Sequence, residues 1–312
     1  MTERRSSRDA PPSPALLFAV LAAGVLAIAS SAPIIRAIVT RSGAHGPSGS
    51  VSIAAARMGL AALLLAPGWW MAHRRGDQGP ERAATLLAGA SLALHFASWI
   101  SSLSFTTMAA STVIVTTNPV WVALVTAARE RRWPSRATLL GLALSLIGAV
   151  ILALGDASSS ATATKPLLGD LLALVGAWAA TGYYLASRRA QSRGASLATT
   201  APAVYTTAAL VLLPIALVWG DLPALAALRV APWVLALALV PQLIGHTAFH
   251  WAMKHRSPTA VTTVILLEPV GAATIAAVAF NERPSATTLL GALVLLVGVW
   301  RTASADEGTV AA

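Results

Sequence analysis

Cysteine is absent from the 312 residues, which excludes disulfides, thiol nucleophiles and thiolate metal sites. Charge is scarce as well. Only 11% of residues are charged, where an ordinary soluble domain has about a quarter. With 56% hydrophobic residues and a mean hydropathy of +0.70, the chain is neither a soluble globular domain nor a disordered segment. It has no nucleophile elbow, zinc-peptidase pattern, glycine-rich phosphate loop or pair of intramembrane aspartates. An integral-membrane enzyme therefore has no motif behind it, and the loops are too short to build a receptor domain.

What is present is apolar sequence in blocks of about 20 residues, the length that crosses ~30 Å of hydrocarbon as a helix. Reading blocks against breakers predicts ten spans: 14–37, 50–72, 83–104, 107–128, 136–155, 167–187, 198–219, 231–253, 257–280 and 285–303. Gly43–Ser50 and Ala157–Lys165 have the composition of connections. The net charge of +10 does not indicate nucleic acid, because the basic residues form short clusters between apolar blocks. Such clusters mark the cytoplasmic side of membrane proteins. They lie at Arg4–Arg8, Arg74–Arg82, Arg129–Arg136, Arg188–Arg193, Lys254–Arg256 and Arg301, whereas the opposite side receives Arg41, Lys165, Arg229 and Arg283. Both termini are predicted to be cytoplasmic, in a bacterial-type inner membrane. The polar start lacks a cleavage-like site before the first block and reads as a tail before a retained helix.

The second half repeats the first. Asn118-Pro119-Val120 returns as Glu268-Pro269-Val270, Thr138-Leu139-Leu140-Gly141 as Thr288-Leu289-Leu290-Gly291, and Gly148 as Gly298, each 150 residues later. Five spans per copy is an odd number, so the copies must be inverted in the membrane. Loop charges agree: Arg129–Arg136 is strongly basic, while its mate carries only Glu282 and Arg283. The expected fold is all-α integral membrane, with ten transmembrane helices as two inverted five-helix repeats. Its divisions are a tail at 1–13, repeats at 14–155 and 167–303, a linker at 156–166 and a tail at 304–312. Inverted repeats are typical of secondary transporters, whose site lies at the midplane between the halves.

The repeat ends resemble those of the EamA family in the drug/metabolite transporter superfamily. Pro119-Val120, Pro134 and Gly141–Gly148 carry the likeness in one copy. Glu268-Pro269-Val270, Asn281-Glu282-Arg283-Pro284 and Gly291–Gly298 carry it in the other. In copy one the loop reads Arg131-Arg132-Trp133 and departs from the family pattern. The resemblance implies transport of small metabolites such as amino acids or drug-like solutes, often outward.

Candidate site residues are the polar and aromatic groups within spans. Glu268 is the deepest carboxylate, and ionisable groups at that depth are costly and face a cavity or a partner. Pro269 beside it removes a backbone donor. Its mate Asn118 repeats a polar-proline pair at matching depth. Gln242, His246 and His250 follow one another at four-residue steps and are expected on one helix face, as a proton relay with Glu268 or as a cavity wall. Two histidines fall short of a zinc site, so no metal or other cofactor is expected. His95 and Trp99 share a face suited to a planar or cationic solute. Tyr183, with Tyr184, Tyr205 and Trp178, offers comparable surfaces. Arg57 would neutralise Glu268, meet a substrate carboxylate or be held by backbone carbonyls. Gly141, Gly148, Gly291 and Gly298 are expected at close helix contacts. Together these predict a secondary transporter, not an enzyme, working by alternating access with proton coupling through Glu268. Its expected partners are a small-molecule solute and the lipid bilayer, as monomer or homodimer; a passive facilitator is the alternative.

Overall fold

The computed structural model describes residues 12–156, 164–192, 194–280 and 285–310. The expected tail before residue 12, linker residues 157–163, Arg193 and the Asn281–Pro284 loop lie outside them. Among the described residues the chain is helical and contains no strand. The first repeat holds α1 (Pro14–Ala29), α2 (Ser31–Ser42), α3 (Gly46–Arg74), α4 (Arg82–Ser102), α5 (Met108–Val115), α6 (Asn118–Glu130) and α7 (Arg136–Asp156). The second holds α8 (Pro166–Gln191), α9 (Leu197–Trp219), the short α10 (Leu222–Leu225), α11 (Ala231–Leu237), a π-helical segment (Ala238–His246), α12 (Thr247–Ala252), α13 (Pro258–Ile265), α14 (Glu268–Phe280) and α15 (Ala286–Val310).

Nine stretches of the described residues are long and apolar enough to cross a membrane. The sixth expected span, α8, has 26 residues and is about 39 Å long at 1.5 Å per residue. It is long enough to cross, but it carries Asp170, Arg188 and Arg189 and is less apolar than the others.

Four expected spans are not continuous helices. The first breaks at Ser30, the fourth at Thr116–Thr117, the ninth at Leu266–Leu267, and the eighth widens into the π-helical segment. Each interruption has a proline at or just after it: Pro33, Pro119, Pro269 and Pro241. Proline lacks the N–H that would bond the carbonyl four residues back. The breaks in the two copies are offset by the same 150 residues as the sequence, with α5 and α13 both 8 residues long and α6 and α14 both 13. Even the caps match. Thr107 accepts from the Ala110 N–H and Ser257 from the Ala260 N–H, each at 3.1 Å, satisfying a donor that the helix start leaves open.

Two boundaries differ from expectation. The Gly43–Ser50 connection shrinks to Gly43–His45 because Pro47, already suited to a first turn, starts α3 at Gly46. Helix α15 runs on to Val310, past the apolar block, because a helix already nucleated propagates through polar residues at little cost.

The inverted copies meet across a pseudo-two-fold. Helix α4 packs on α8, its mate region α12 with the π segment packs on α1, α3 packs on α9, and α7 on α15. The last pair runs antiparallel along its glycines. A Cβ on Gly141 would strike Gly298 and Thr302, one on Gly148 would strike Leu295, and one on Gly291 would strike Leu152. The backbones touch there because nothing stands between them.

Candidate functional site

The interruptions converge on one place. A narrow cavity of about 40 Å³ lies where the α1–α2, α5–α6 and α13–α14 breaks meet α4, α8 and the π segment. Irregular backbone at membrane depth persists only where protein covers it or a cavity solvates it. The carbonyls deprived of a donor by Pro119 and Pro269 belong to Val115 and Ile265, and both residues line this cavity.

Six of the eight candidate residues line it: His95, Trp99, Asn118, Tyr183, His246 and Glu268. Glu268 and Asn118 open α14 and α6, so the polar-proline pairs of both copies face one space. On α4, the His95 and Trp99 rings stack at 6.0 Å with only 7° between planes. His95 Nδ1 lies 2.9 Å from the Gly176 carbonyl. A carbonyl only accepts, so Nδ1 is the donor and Nε2 is left for the cavity side. Trp99 Nε1 and Asn118 Oδ1 are buried without a protein partner. They are one donor and one acceptor, each able to meet a solute.

The other two candidates sit just behind the wall. Arg57 is fully buried; its Nε donates to Gln242 Oε1 at 2.9 Å, and its guanidinium carbon lies 4.1 Å from the Phe96 ring centre. Phe96 itself lines the cavity and meets His246 edge-on at 5.3 Å. Thus Arg57 is held neither by backbone carbonyls nor in an ion pair with Glu268. The ion pairs among the described residues are Arg75–Asp77 and Arg189–Glu81. Along the row of Gln242, His246 and His250, Gln242 meets Arg57, His246 reaches the cavity, and Tyr183 meets both histidines, at 6.0 Å from His246 and 5.2 Å from His250. Trp178 turns outward, about half exposed, and meets Trp121 edge-on. No cluster of three potential metal ligands forms among the described residues.

Phe96, Ser31 and Thr116 are lining residues that the sequence reading passed over. Ser31 and Thr116 had a usable signal, since each lies two or three residues before a proline in an apolar block. Phe96 had none.

Hydrogen bonds tie the helix ends together at both ends of the bundle. At the arginine-rich end, Arg188 Nη1 donates to the carbonyls of Met253 (3.1 Å) and Arg256 (2.6 Å). Lys254 Nζ donates to the Ala195 carbonyl at 2.6 Å. Partial burial holds the Lys254 ammonium below its ordinary range. At the other end Thr106 donates to Asp170 at 2.8 Å and the Lys165 N–H to the Phe105 carbonyl at 3.1 Å.

A family model described as the EamA-like transporter family matches residues 13–154 and again 167–303. The chain belongs to the EamA-like transporter family. The two matched stretches are the two inverted copies, so this EamA chain is a multi-pass membrane transporter of small solutes. An "Uncharacterized transporter" of Archaeoglobus fulgidus is 25% identical over 238 residues, 75% of this chain and 81% of that one. A solved crystal structure of a protein superposes with a TM-score of 0.73, covering 95% of this EamA chain and 99% of the other. Its 17% identity makes it a likeness of fold alone.

Proposed function

We propose that this EamA protein is a secondary transporter that exports small organic solutes bearing a protonated amine, amino acids or drug-like amines among them, by alternating access with proton exchange at Glu268. The observation that carries the reading is the charge arrangement of the cavity. A carboxylate lines it without an ion-pair partner, while the nearby cation, Arg57, is tied to Gln242 and Phe96 behind the wall. A cavity with one carboxylate, several aromatic rings and no lining cation suits an ammonium. The same oxygen pair would carry a proton on the return step, so that solute and proton compete for one group.

The cavity, at about 40 Å³, is smaller than a metabolite, so a solute needs the surrounding helices to move apart, as alternating access requires. The rows of arginine support an orientation with both termini on the cytoplasmic side. The Trp99 indole N–H and the Asn118 amide would orient the polar part of a solute against Glu268.

The test is efflux from proteoliposomes loaded with mixed amino acids, amines, sugars and anionic metabolites, with and without a pH gradient. Amine-bearing solutes are expected to leave selectively, faster with the gradient. Glu268→Gln should lower their apparent affinity by roughly 10–100-fold, the value of a hydrogen bond to a charged group, and abolish the gradient dependence. Gradient-independent flux in the wild type would replace the antiporter with a passive facilitator. Selective loss of anions would overturn the amine assignment.

A further inference from the structure

Buried polar atoms without a protein partner are not scattered through the bundle. Apart from those of Trp99, Asn118, Thr126 and the Arg57–Gln242 pair, the unmet atoms among the described residues lie in one seam, between α8 and α12 with the end of the π segment. They are Tyr183 Oη, Ser187 Oγ, Gln191 Oε1, His246 Nδ1 and both ring nitrogens of His250. Tyr183, Ser187 and Gln191 follow one another at four-residue steps along α8, and His246 and His250 are four apart as well, so each set shares a helix face. The two rows face each other. The Tyr183 ring lies 6.0 Å from that of His246 and stacks on that of His250 at 5.2 Å, and Gln191 Nε2 donates to the His250 carbonyl at 3.4 Å. Tyr205 of α9 flanks His250 at 6.4 Å, but its hydroxyl bonds Thr247.

The rows begin at the central cavity, which Tyr183 and His246 line. They run to the arginine-rich end, where Arg188 and Lys254 tie the loop after α12 to α8 and to the loop that follows it. Local sequence does not force these groups to stay unmet. Ser98 and Thr181 bond back to the carbonyl four residues earlier, the ordinary recourse of a buried hydroxyl in a helix, whereas Ser187 does not. In the other copy the mates of His246 and His250, 150 residues earlier, are Phe96 and Ile100, which carry no polar side-chain atom. Tyr183, Ser187 and His250 are wholly buried, so water does not reach them. Each donor or acceptor taken from water and left unmet costs free energy. Parting α8 from α12 would let water satisfy every one of them, a gain that an apolar seam does not have.

We infer that the α8–α12 seam is the gate between the central cavity and the arginine-rich side of the membrane, and that Tyr183, Ser187, Gln191 and His250 become the wetted lining of a passage when it parts. This rests on the transport reading above and deepens it, by naming the face through which a solute on that side reaches Glu268. The Tyr183–His250 stack shuts the passage beside the cavity. The bonds from Arg188 and Lys254 hold its two helices together at the far end.

The test uses the full chain in proteoliposomes of known orientation and a membrane-impermeant methanethiosulfonate. Ser187→Cys puts a single thiol, close to the hydroxyl in size, in the middle of the seam. It is expected to react from the arginine-rich side roughly tenfold faster than from the other, while Ile100→Cys, at the mate of His250, resists the reagent from that side. Gln191→Cys, one turn nearer the end, is read in the same way, so the result does not hang on one variant folding. His250→Phe keeps a ring on Tyr183 and removes both unmet nitrogens. Added to Ser187→Cys, it should favour the shut seam and slow labelling roughly tenfold, with the unfolding temperature the same or higher. Thiols at both positions that stay unreactive, or that react as fast from the opposite side, would overturn the inference. So would labelling that His250→Phe leaves unchanged, or a lowered unfolding temperature in that variant, which would make the histidine a packing residue. Labelling needs neither an amine nor a pH gradient, so a failed solute assignment and a failed gate are read separately.

Discussion

Arg57 is the residue whose placement costs most, since its charge is fully buried and two of its nitrogens have no protein partner. Removing Gln242 leaves that guanidinium with only the Phe96 face, and an uncompensated buried charge destabilises a fold by several kcal/mol. Gln242→Leu is therefore expected to lower thermal stability in detergent more than Arg57→Gln does, because the latter removes the charge together with its partner's burden. Equal losses would show that the pair matters by packing alone. The polar-proline repeat told a reader of the sequence that Asn118 and Glu268 lie at one depth. The partner of Arg57 was not legible, because a contact between residues 185 apart in sequence depends on how α3 docks against the π segment. Phe96 was hidden for the same reason: one apolar residue in an apolar helix has no signature until its neighbours are known.

Among elements, α7 and α15 carry the plainest packing argument. Their glycine spacing survives in both copies, and the structure places Gly148 against Leu295 and Gly298 against Ser145. Gly148→Leu is expected to cost about 1–3 kcal/mol, the usual range for overpacking, read as a lowered unfolding temperature with the solute specificity unchanged. The broken helices make a different prediction. Pro119→Ala and Pro269→Ala restore an N–H at each break and should slow transport while leaving the unfolding temperature the same or higher. Faster transport would mean that the breaks do not move. Hydropathy located these spans but not their interruptions, since a window of 20 residues averages over a two-residue turn. The π segment was unreadable for a related reason. Its register follows from how α11 and α12 dock on α1 and α3, not from Pro241 alone.

For the whole molecule, a few charge-assisted bonds at the arginine-rich end can be removed without touching the cavity. Because the chain has no cysteine, one introduced thiol reports access cleanly. Ala180→Cys places it in the cavity wall. Thiol labelling should be slow in an otherwise unchanged chain and rise roughly tenfold when Arg188→Ala and Lys254→Ala free α8 from the loop after α12. Unchanged labelling would put the barrier in the Tyr183–His250 stack instead. The inverted pair of repeats, and with it the membrane-embedded transporter fold, follows from sequence alone, because apolar length, basic loops and a constant 150-residue register are local or additive signals. Tertiary structure alone decided that Arg57 turns to Gln242, and that His246 and not Gln242 or His250 faces the cavity. Those outcomes depend on side chains from distant segments competing for the same space, and no single stretch of chain contains that competition.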